Sequence, residues 1–248
     1  MRNNSSSLRL FSLFSISILI IGSLSDRSLG QKRRIPTGGR LAVVIDERLS
    51  ALRVAPSLSA RLVQRLSRGR FVAIIGSQAS ADGVAFYQVK ATRRKRGWVQ
   101  SNSLISPSQG SDDQRLLRLI RGSQDFDLIA RARIFLDTLP QSRLRPAVLL
   151  LYGDAAEEAG TKLTRDAARR LDHSEMSAGG APEFSYFMNY NGLDRYNRQG
   201  IRFVFDSATK QFHYDGAAWR EIIRHYPKSP EAVAARKRFK GSSSATRK

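Results

Sequence analysis

The hydrophobic pattern of the chain changes near residue 106, and this change limits the folds that are open to it. Before that point, short apolar runs alternate with polar turns, which is typical of strands. After residue 111, apolar residues recur at spacings of three and four, which is typical of helices. Residues 106–113 are rich in turn formers and indicate a linker. The sequence therefore predicts a multidomain chain, an all-β part followed by an all-α part.

The N-terminus has the pattern of an export signal. Arg2 and Arg9 precede an uncharged, mostly apolar run at residues 10–24, and its 15 residues suit a secretory signal better than a membrane span. Small residues allow cleavage after Ser25 or after Gly30. The alternative is an uncleaved segment, through which alone the chain would contact a membrane. We expect a signal peptide at residues 1–30 and a periplasmic or extracellular protein.

The β-rich part is predicted over residues 37–107, followed by a linker at residues 108–112. Its strand candidates are residues 41–45, 71–75, 86–89 and 97–99. Turn signals separate them at residues 68–69 and 82–83. Short strands in so small a unit favour a barrel, because closure protects the strand edges.

Four motifs in this part resemble the bacterial SH3-type (Src-homology-3-like) domain of exported and cell-wall proteins. They are Leu-Arg-Val-Ala-Pro-Ser at residues 52–57, Ser-Arg-Gly-Arg-Phe-Val at 67–72, Ala-Phe-Tyr-Gln-Val at 85–89, and Gly-Trp-Val-Gln with a later Leu at 97–104. The resemblance implies a small SH3-like β-barrel that binds a peptide or cell wall. Arg53, Ala55 and Phe86 depart from the family's usual Asn, Arg and Trp.

The second half is predicted as a helical domain over residues 113–240. Turn and capping signals place helices at residues 111–121, 125–139, 143–159, 164–172, 216–225 and 230–239. The third of these is expected to end at Gly160. Residues 174–182 are expected to form a loop, and residues 201–205 and 211–214 to pair as a hairpin. Residues 241–248 are predicted to be a disordered tail.

Two helix joins in this half are similar to each other. Residues 135–142 and 222–229 each combine an amphipathic segment with Pro-x-Ser. They resemble the joins of tetratricopeptide-like repeats of the outer-membrane-assembly lipoprotein type, which implies a helical domain that binds another envelope protein. The joins are 87 residues apart, so an insertion near residues 174–214 would interrupt the array. Gly153 and Ala156 are expected to allow close helix packing.

The chain shows no local catalytic signature. It has no cysteine, which excludes thiol catalysis and Cys-ligated metal. A site assembled from His173, Glu175 and His213 is conceivable, and Asp154 with its neighbours at 157 and 158 could supply paired carboxylates. A solvated helix face accounts for the carboxylates better. We therefore predict a non-enzymatic protein with no cofactor and no metal site.

Positive charge is concentrated in the β-rich part. The chain carries a net charge of +21, and residues 31–110 contribute +12. The densest cluster consists of Lys90, Arg93, Arg94, Lys95 and Arg96. It would bind an anionic polymer, or it would be a solvated hairpin tip that keeps the domain soluble. Nucleic acid is not an expected partner, because the chain is exported and lacks the pattern of an RNA-binding sheet.

Three further residues are candidates for ligand binding. Trp98 is expected to pack in the core more readily than to form a ligand platform, whereas Tyr87 is expected to line a groove beside a core Phe86. Arg53 is the third candidate for ligand binding. The predicted function is a binding or scaffold protein of the bacterial envelope that contacts cell-wall polymer or peptide. The alternatives are an accessory or degenerate cell-wall hydrolase and a purely structural envelope protein.

Overall fold

A computed structural model, which describes residues 38–245, shows a part made mainly of strands followed by a part made mainly of helices. The predicted signal peptide lies outside the described residues. In the first part, which we call the β module, the strands are β1 (Arg40–Val44), β2 (Ala51–Arg53), β3 (Leu62–Arg65), β4 (Phe71–Ala79), β5 (Ala85–Lys90), β6 (Arg96–Gln100) and β7 (Leu104–Ile105).

These strands form one sheet in the order β3-β2-β6-β5-β4-β1-β7, and every neighbouring pair is antiparallel. The four strand candidates from the sequence are confirmed. Strands β2, β3 and β7 are short and are not among those candidates. Gly69 and Gly83 have positive φ angles of 73° and 78°, which confirms the two predicted turns.

The second part, which we call the helical module, contains a hairpin among its helices. Its elements are α1 (Asp112–Arg121), α2 (Asp125–Thr138), α3 (Arg145–Arg170), α4 (His173–Gly179), α5 (Glu183–Met188), α6 (Asp194–Asn197), β8 (Phe203–Asp206), β9 (Gln211–Tyr214), α7 (Ala217–His225) and α8 (Pro230–Ala245). Strands β8 and β9 pair antiparallel, so the predicted hairpin is confirmed. Within residues 38–245, no helix is long and apolar enough to cross a membrane.

Helix α3 corrects the prediction that a helix ends at Gly160. It runs unbroken for 26 residues, through the segment that had been assigned to a separate fourth helix. Gly160 serves packing instead, because a Cβ at this position would lie 2.7 Å from the carbonyl oxygen of Phe212 in β9. Two other segments also differ: helix α4 lies where a loop was expected, and α8 continues through the first five residues of the predicted tail.

Both predicted joins connect packed helix pairs. Helix α2 packs on α3, α3 packs on α7, and α7 packs on α8. The approach of α3 to α7 depends on Gly153, because a Cβ there would lie 2.5 Å from Nε1 of the buried Trp219. The expectation of close packing at Gly153 is therefore confirmed. The likeness of these pairs to tetratricopeptide repeats stays a prediction.

A single apolar cluster joins the two modules. Val43, Ile45 and Ile105 of the β module belong to the same hydrophobic cluster as the buried residues of α1, α2 and α3. A second cluster, which includes Leu52 and Val89, fills the other side of the sheet. Both faces of β1 are therefore buried, one against each cluster.

A buried arginine crosses the same junction. The Arg131 side chain is only 4% exposed, and it donates from Nη1 to Ser123 Oγ at 2.6 Å and from Nε to the carbonyl of Ile45 at 3.3 Å. Asp127 lies 3.5 Å away and Asp46 lies 4.0 Å away. Burial lowers the pKa of Arg131, and the charges of the two carboxylates oppose that effect.

Replacing this arginine should destabilise the junction. We expect Arg131→Met to lower the free energy of unfolding by about 3 kcal/mol, because it leaves buried acceptors without a donor. Arg121→Met, at an exposed arginine of α1, is the control and should change it by less than about 0.5 kcal/mol. Urea denaturation followed by circular dichroism measures both values. Equal stability of the two variants would contradict the structural role of Arg131.

The Gly153 contact predicts that replacing this glycine by alanine changes stability in the direction opposite to that expected from helix propensity. Glycine-to-alanine changes inside helices usually stabilise by up to about 1 kcal/mol. Gly153→Ala should instead destabilise by about 2 kcal/mol, because the new methyl group overlaps the Trp219 indole. Gly241→Ala in α8 is the matched control, since its Cβ would meet no atom within 4 Å. Thermal unfolding measures whether Gly153→Ala lowers stability while Gly241→Ala raises it. If both variants were more stable than the unaltered protein, the contact between Gly153 and Trp219 would be refuted.

Candidate binding face

Strand register places four of the eight predicted binding residues on one face of the sheet. Trp98 of β6 lies opposite Arg53 of β2 on one side and opposite Gln88 of β5 on the other. Directly opposed residues of an antiparallel pair point to the same face, and so do residues two apart on one strand. Lys90 and Arg96, which oppose each other, therefore join this face. We call these five residues the Trp98 face.

Gly97 on β6 allows β2 to lie close to β6. A Cβ on Gly97 would lie 2.5 Å from the carbonyl oxygen of Arg53, so only glycine permits this approach of β2 to β6. The Arg53 guanidinium donates from Nη1 to the carbonyl of Ala60 at 2.6 Å. This bond ties the segment between β2 and β3 to the edge of the Trp98 face. The arginine that departs from the family motif therefore has a structural role here.

The structure separates the two aromatic candidates. Trp98 is half-buried and belongs to neither hydrophobic cluster, so the expectation that it packs in the core is wrong. Tyr87 lies opposite the fully buried Val99 and packs against the second cluster, on the other side of β5 from Trp98. The Arg40 guanidinium lies 5.5 Å from the centre of the Tyr87 ring. Tyr87 thus contributes to packing and does not extend the Trp98 face.

The basic cluster forms the turn between β5 and β6. The amide of Ala91 donates to the carbonyl of Lys95 at 2.9 Å, and Thr92 Oγ1 accepts from the amide of Lys95 at 3.0 Å. Arg93 and Arg94 lie exposed at the tip. Lys95 Nζ donates to Gln64 on β3 at 3.0 Å. Backbone hydrogen bonds therefore hold a row of cations at the end of the Trp98 face.

No described carboxylate forms an ion pair with the cations of this hairpin. Within the part of the chain that the structure describes, the residues that form no ion pair include Lys90, Arg93, Arg94, Lys95 and Arg96. Because surface cations attract anions when no carboxylate neutralises them, the hairpin produces a positive potential beside Trp98.

The three candidate catalytic carboxylates of α3, Asp154, Glu157 and Glu158, each contact another side chain. Asp154 accepts from Arg238 at 3.1 Å, and Glu158 pairs with Lys162 at 2.9 Å. Glu157 lies 3.1 Å from His213 Nδ1 and also accepts from the amide of Tyr214. The structure thus pairs His213 with a carboxylate of α3. Over residues 38–245, no group of three or more acidic, His or Cys side chains is placed to hold a metal ion.

Comparison with known proteins supports the β module alone. Residues 48–106 match the family model of the bacterial SH3 domain, and they form such a domain in this chain. No curated protein and no solved structure matches the chain. The matched residues begin after β1, yet β1 pairs with both β4 and β7. The folded unit therefore extends towards the N-terminus beyond the matched segment.

The accessibility of Trp98 can be measured against the second tryptophan of the chain, Trp219, which is 1% exposed. Iodide should quench Trp98 strongly, because the adjoining cations concentrate anions. In Trp98→Phe we expect the iodide quenching constant to fall about three-fold, whereas caesium should quench weakly in both proteins. Fluorescence titration measures these constants. An unchanged iodide constant in the variant would mean that Trp98 is shielded from solvent.

Proposed function

We propose that the protein is an exported, non-enzymatic binding protein of the bacterial envelope, and that its Trp98 face holds an anionic cell-wall polymer or an acidic peptide. The bacterial SH3 domain at residues 48–106 makes this part of the chain a binding module. The observation that carries the proposal is the strand register, which joins Trp98 and Arg53 to the cations at Lys90 and Arg96 on one face.

The chemistry of the face suits a flexible anionic chain. A half-buried indole offers a flat apolar surface, and Gln88 beside it offers both a donor and an acceptor. The unpaired cations of the hairpin would contact negative groups further along the ligand. An extended polymer or peptide could engage both parts at once, so that stacking on Trp98 and charge pairing reinforce each other.

Three other properties belong to the same proposal. The signal-like N-terminus supports export to the compartment where anionic wall polymers occur. The ion pairs of Asp154 and Glu158 and the hydrogen-bond contacts of Glu157 support a non-enzymatic role. The helical module would hold another envelope protein. Its exposed apolar side chains Phe184 and Met188 on α5 favour such a contact.

Sedimentation with purified cell wall tests the role of the Trp98 face. Replacing Arg93, Arg94, Lys95 and Arg96 by Ser should weaken binding about ten-fold at low salt and flatten its salt dependence. Trp98→Ala should also weaken binding, but without changing the salt dependence, because it removes stacking and no charge.

The matched control replaces by Ser four exposed cations of the helical module that form no ion pair with any described residue: Arg224, Lys228, Lys237 and Lys240. It removes the same charge but leaves the Trp98 face intact, so binding should stay within about two-fold of the unaltered protein. If the control and the hairpin variant lose binding equally, net charge and not the Trp98 face drives association. Release of wall fragments during the assay would instead support a hydrolase.

A further inference from the structure

A second cleft lies in the helical module, on elements that the Trp98 face does not use. It has a volume of about 680 Å³ and lies between the start of α2, the second half of α3 and helix α6. Phe126 and Ala168 supply apolar wall, and Lys162, Arg165 and Arg195 supply cations. This volume is within the range of small-molecule sites, about 300–1,000 Å³.

Ion pairs inside the cleft neutralise some of these cations and leave others. Lys162 pairs with Asp125 and with Glu158, and Arg169 pairs with Asp166. Arg165 and Arg195 also line the cleft, but among the described residues neither has a carboxylate within 4.0 Å. Among the described residues, the cleft therefore contains two guanidinium groups that form no ion pair, although the carboxylates of Asp125 and Asp166 belong to the same lining.

One of these guanidinium groups is held in position before any ligand arrives. Arg195 Nη2 donates to the hydroxyl of Tyr196 at 2.8 Å, and the guanidinium carbon lies 4.7 Å from the Tyr196 ring centre and 5.3 Å from that of Phe126. The two rings meet edge to face at 5.5 Å, and Tyr196 is 2% exposed. Because the side chain is already ordered, binding a ligand costs less conformational entropy.

The backbone of Asp125 adds to this organisation. Asp125 is the first residue of α2 and has a φ of 52°, in the left-handed region that is unfavourable for residues other than glycine. Its carboxylate holds Lys162, which extends from α3 across the cleft wall. The strained residue therefore fixes one cation of the lining and leaves Arg165 and Arg195 to face a ligand.

We propose that this cleft binds an organic phosphate, with the phosphoryl group on Arg165 and Arg195 and the organic part against Phe126. A phosphate monoester carries a charge of about −1.5 to −2 at neutral pH, which matches two unpaired guanidinium groups. The planar guanidinium fork suits bidentate contact with phosphate oxygens. The half-buried Phe126 ring gives the organic group an apolar contact that inorganic phosphate cannot use.

Calorimetric titration of the whole chain with phenyl phosphate tests this inference. Arg165→Gln and Arg195→Gln should each weaken binding about ten-fold, since each loses charge-assisted hydrogen bonds. Arg170→Gln and Arg198→Gln are matched controls, because they remove exposed arginines of α3 and of the residue after α6 that do not line the cleft. Binding to the controls should stay within about two-fold of the unaltered protein.

Two further ligands test which chemical group the cleft recognises. Inorganic phosphate should bind more weakly than phenyl phosphate, and phenylacetate should bind more weakly still. Equal affinity for phenylacetate would overturn the assignment to phosphate, and absence of binding up to about 10 mM phenyl phosphate would overturn the site. If Arg195→Gln unfolds the module, the test rests on Arg165→Gln, because Arg165 is exposed and its replacement should not disturb folding. Unchanged affinity of Arg165→Gln for phenyl phosphate would then refute the proposal.

The four-Ser hairpin variant distinguishes the cleft from the Trp98 face. It should bind phenyl phosphate as the unaltered protein does, because the cleft belongs entirely to the helical module. Loss of phenyl phosphate binding in this variant, with retention in Arg165→Gln, would place the ligand on the β module and overturn the inference. Failure of cell-wall sedimentation would leave the cleft unaffected, so the two proposals fail separately.

Discussion

The junction between the two modules depends on Arg131, a charge that folding removes from water. Desolvating a guanidinium is costly unless hydrogen bonds and nearby carboxylates replace the lost hydration. Arg131 obtains these contacts from both sides, from the carbonyl of Ile45 at the end of β1 and from Ser123 before α2. Its partner Asp46 is held in turn by Arg48, whose side-chain hydrogen bonds lower the pKa of that carboxyl group. This polar network fixes where the sheet meets the helices.

Burial of β1 from both sides has consequences for the whole sheet. One face of the strand packs into the sheet's own cluster, and the other belongs to the apolar cluster of the helical module. The part of the sheet that remains free for a ligand is therefore at the β2, β5 and β6 end, where the Trp98 face lies. The helical module covers one part of the bacterial SH3 domain and leaves another open. Its own cleft faces solvent between α2, α3 and α6, so the two proposed sites do not compete for residues.

Patterns with strong local signals were predictable from the sequence. Short apolar runs between polar turns predicted the four longest strands of the β module. The glycines at 69 and 83 predicted its turns, because glycine adopts the positive φ of those positions without strain. The motifs around residues 52–57 and 97–104 identified the SH3 domain. The cation cluster at residues 93–96 was equally visible. Gly160 misled because a glycine inside a helix resembles a stop signal, whereas its neighbour in space is β9.

The sequence by itself determined that a strand-rich part precedes a mainly helical part, and it located the SH3 domain and the positive charge, because spacing, turn chemistry and charge are local properties. Only the tertiary structure decided which residues act together. Register separated Trp98 from Tyr87 and placed Arg53 beside Trp98, although 44 positions of sequence lie between them. The tertiary fold brought residues of α2, α3 and α6 together around the cation-lined cleft, and contact between modules buried Arg131. These arrangements depend on pairing and packing between distant segments, for which neighbouring residues carry no signal.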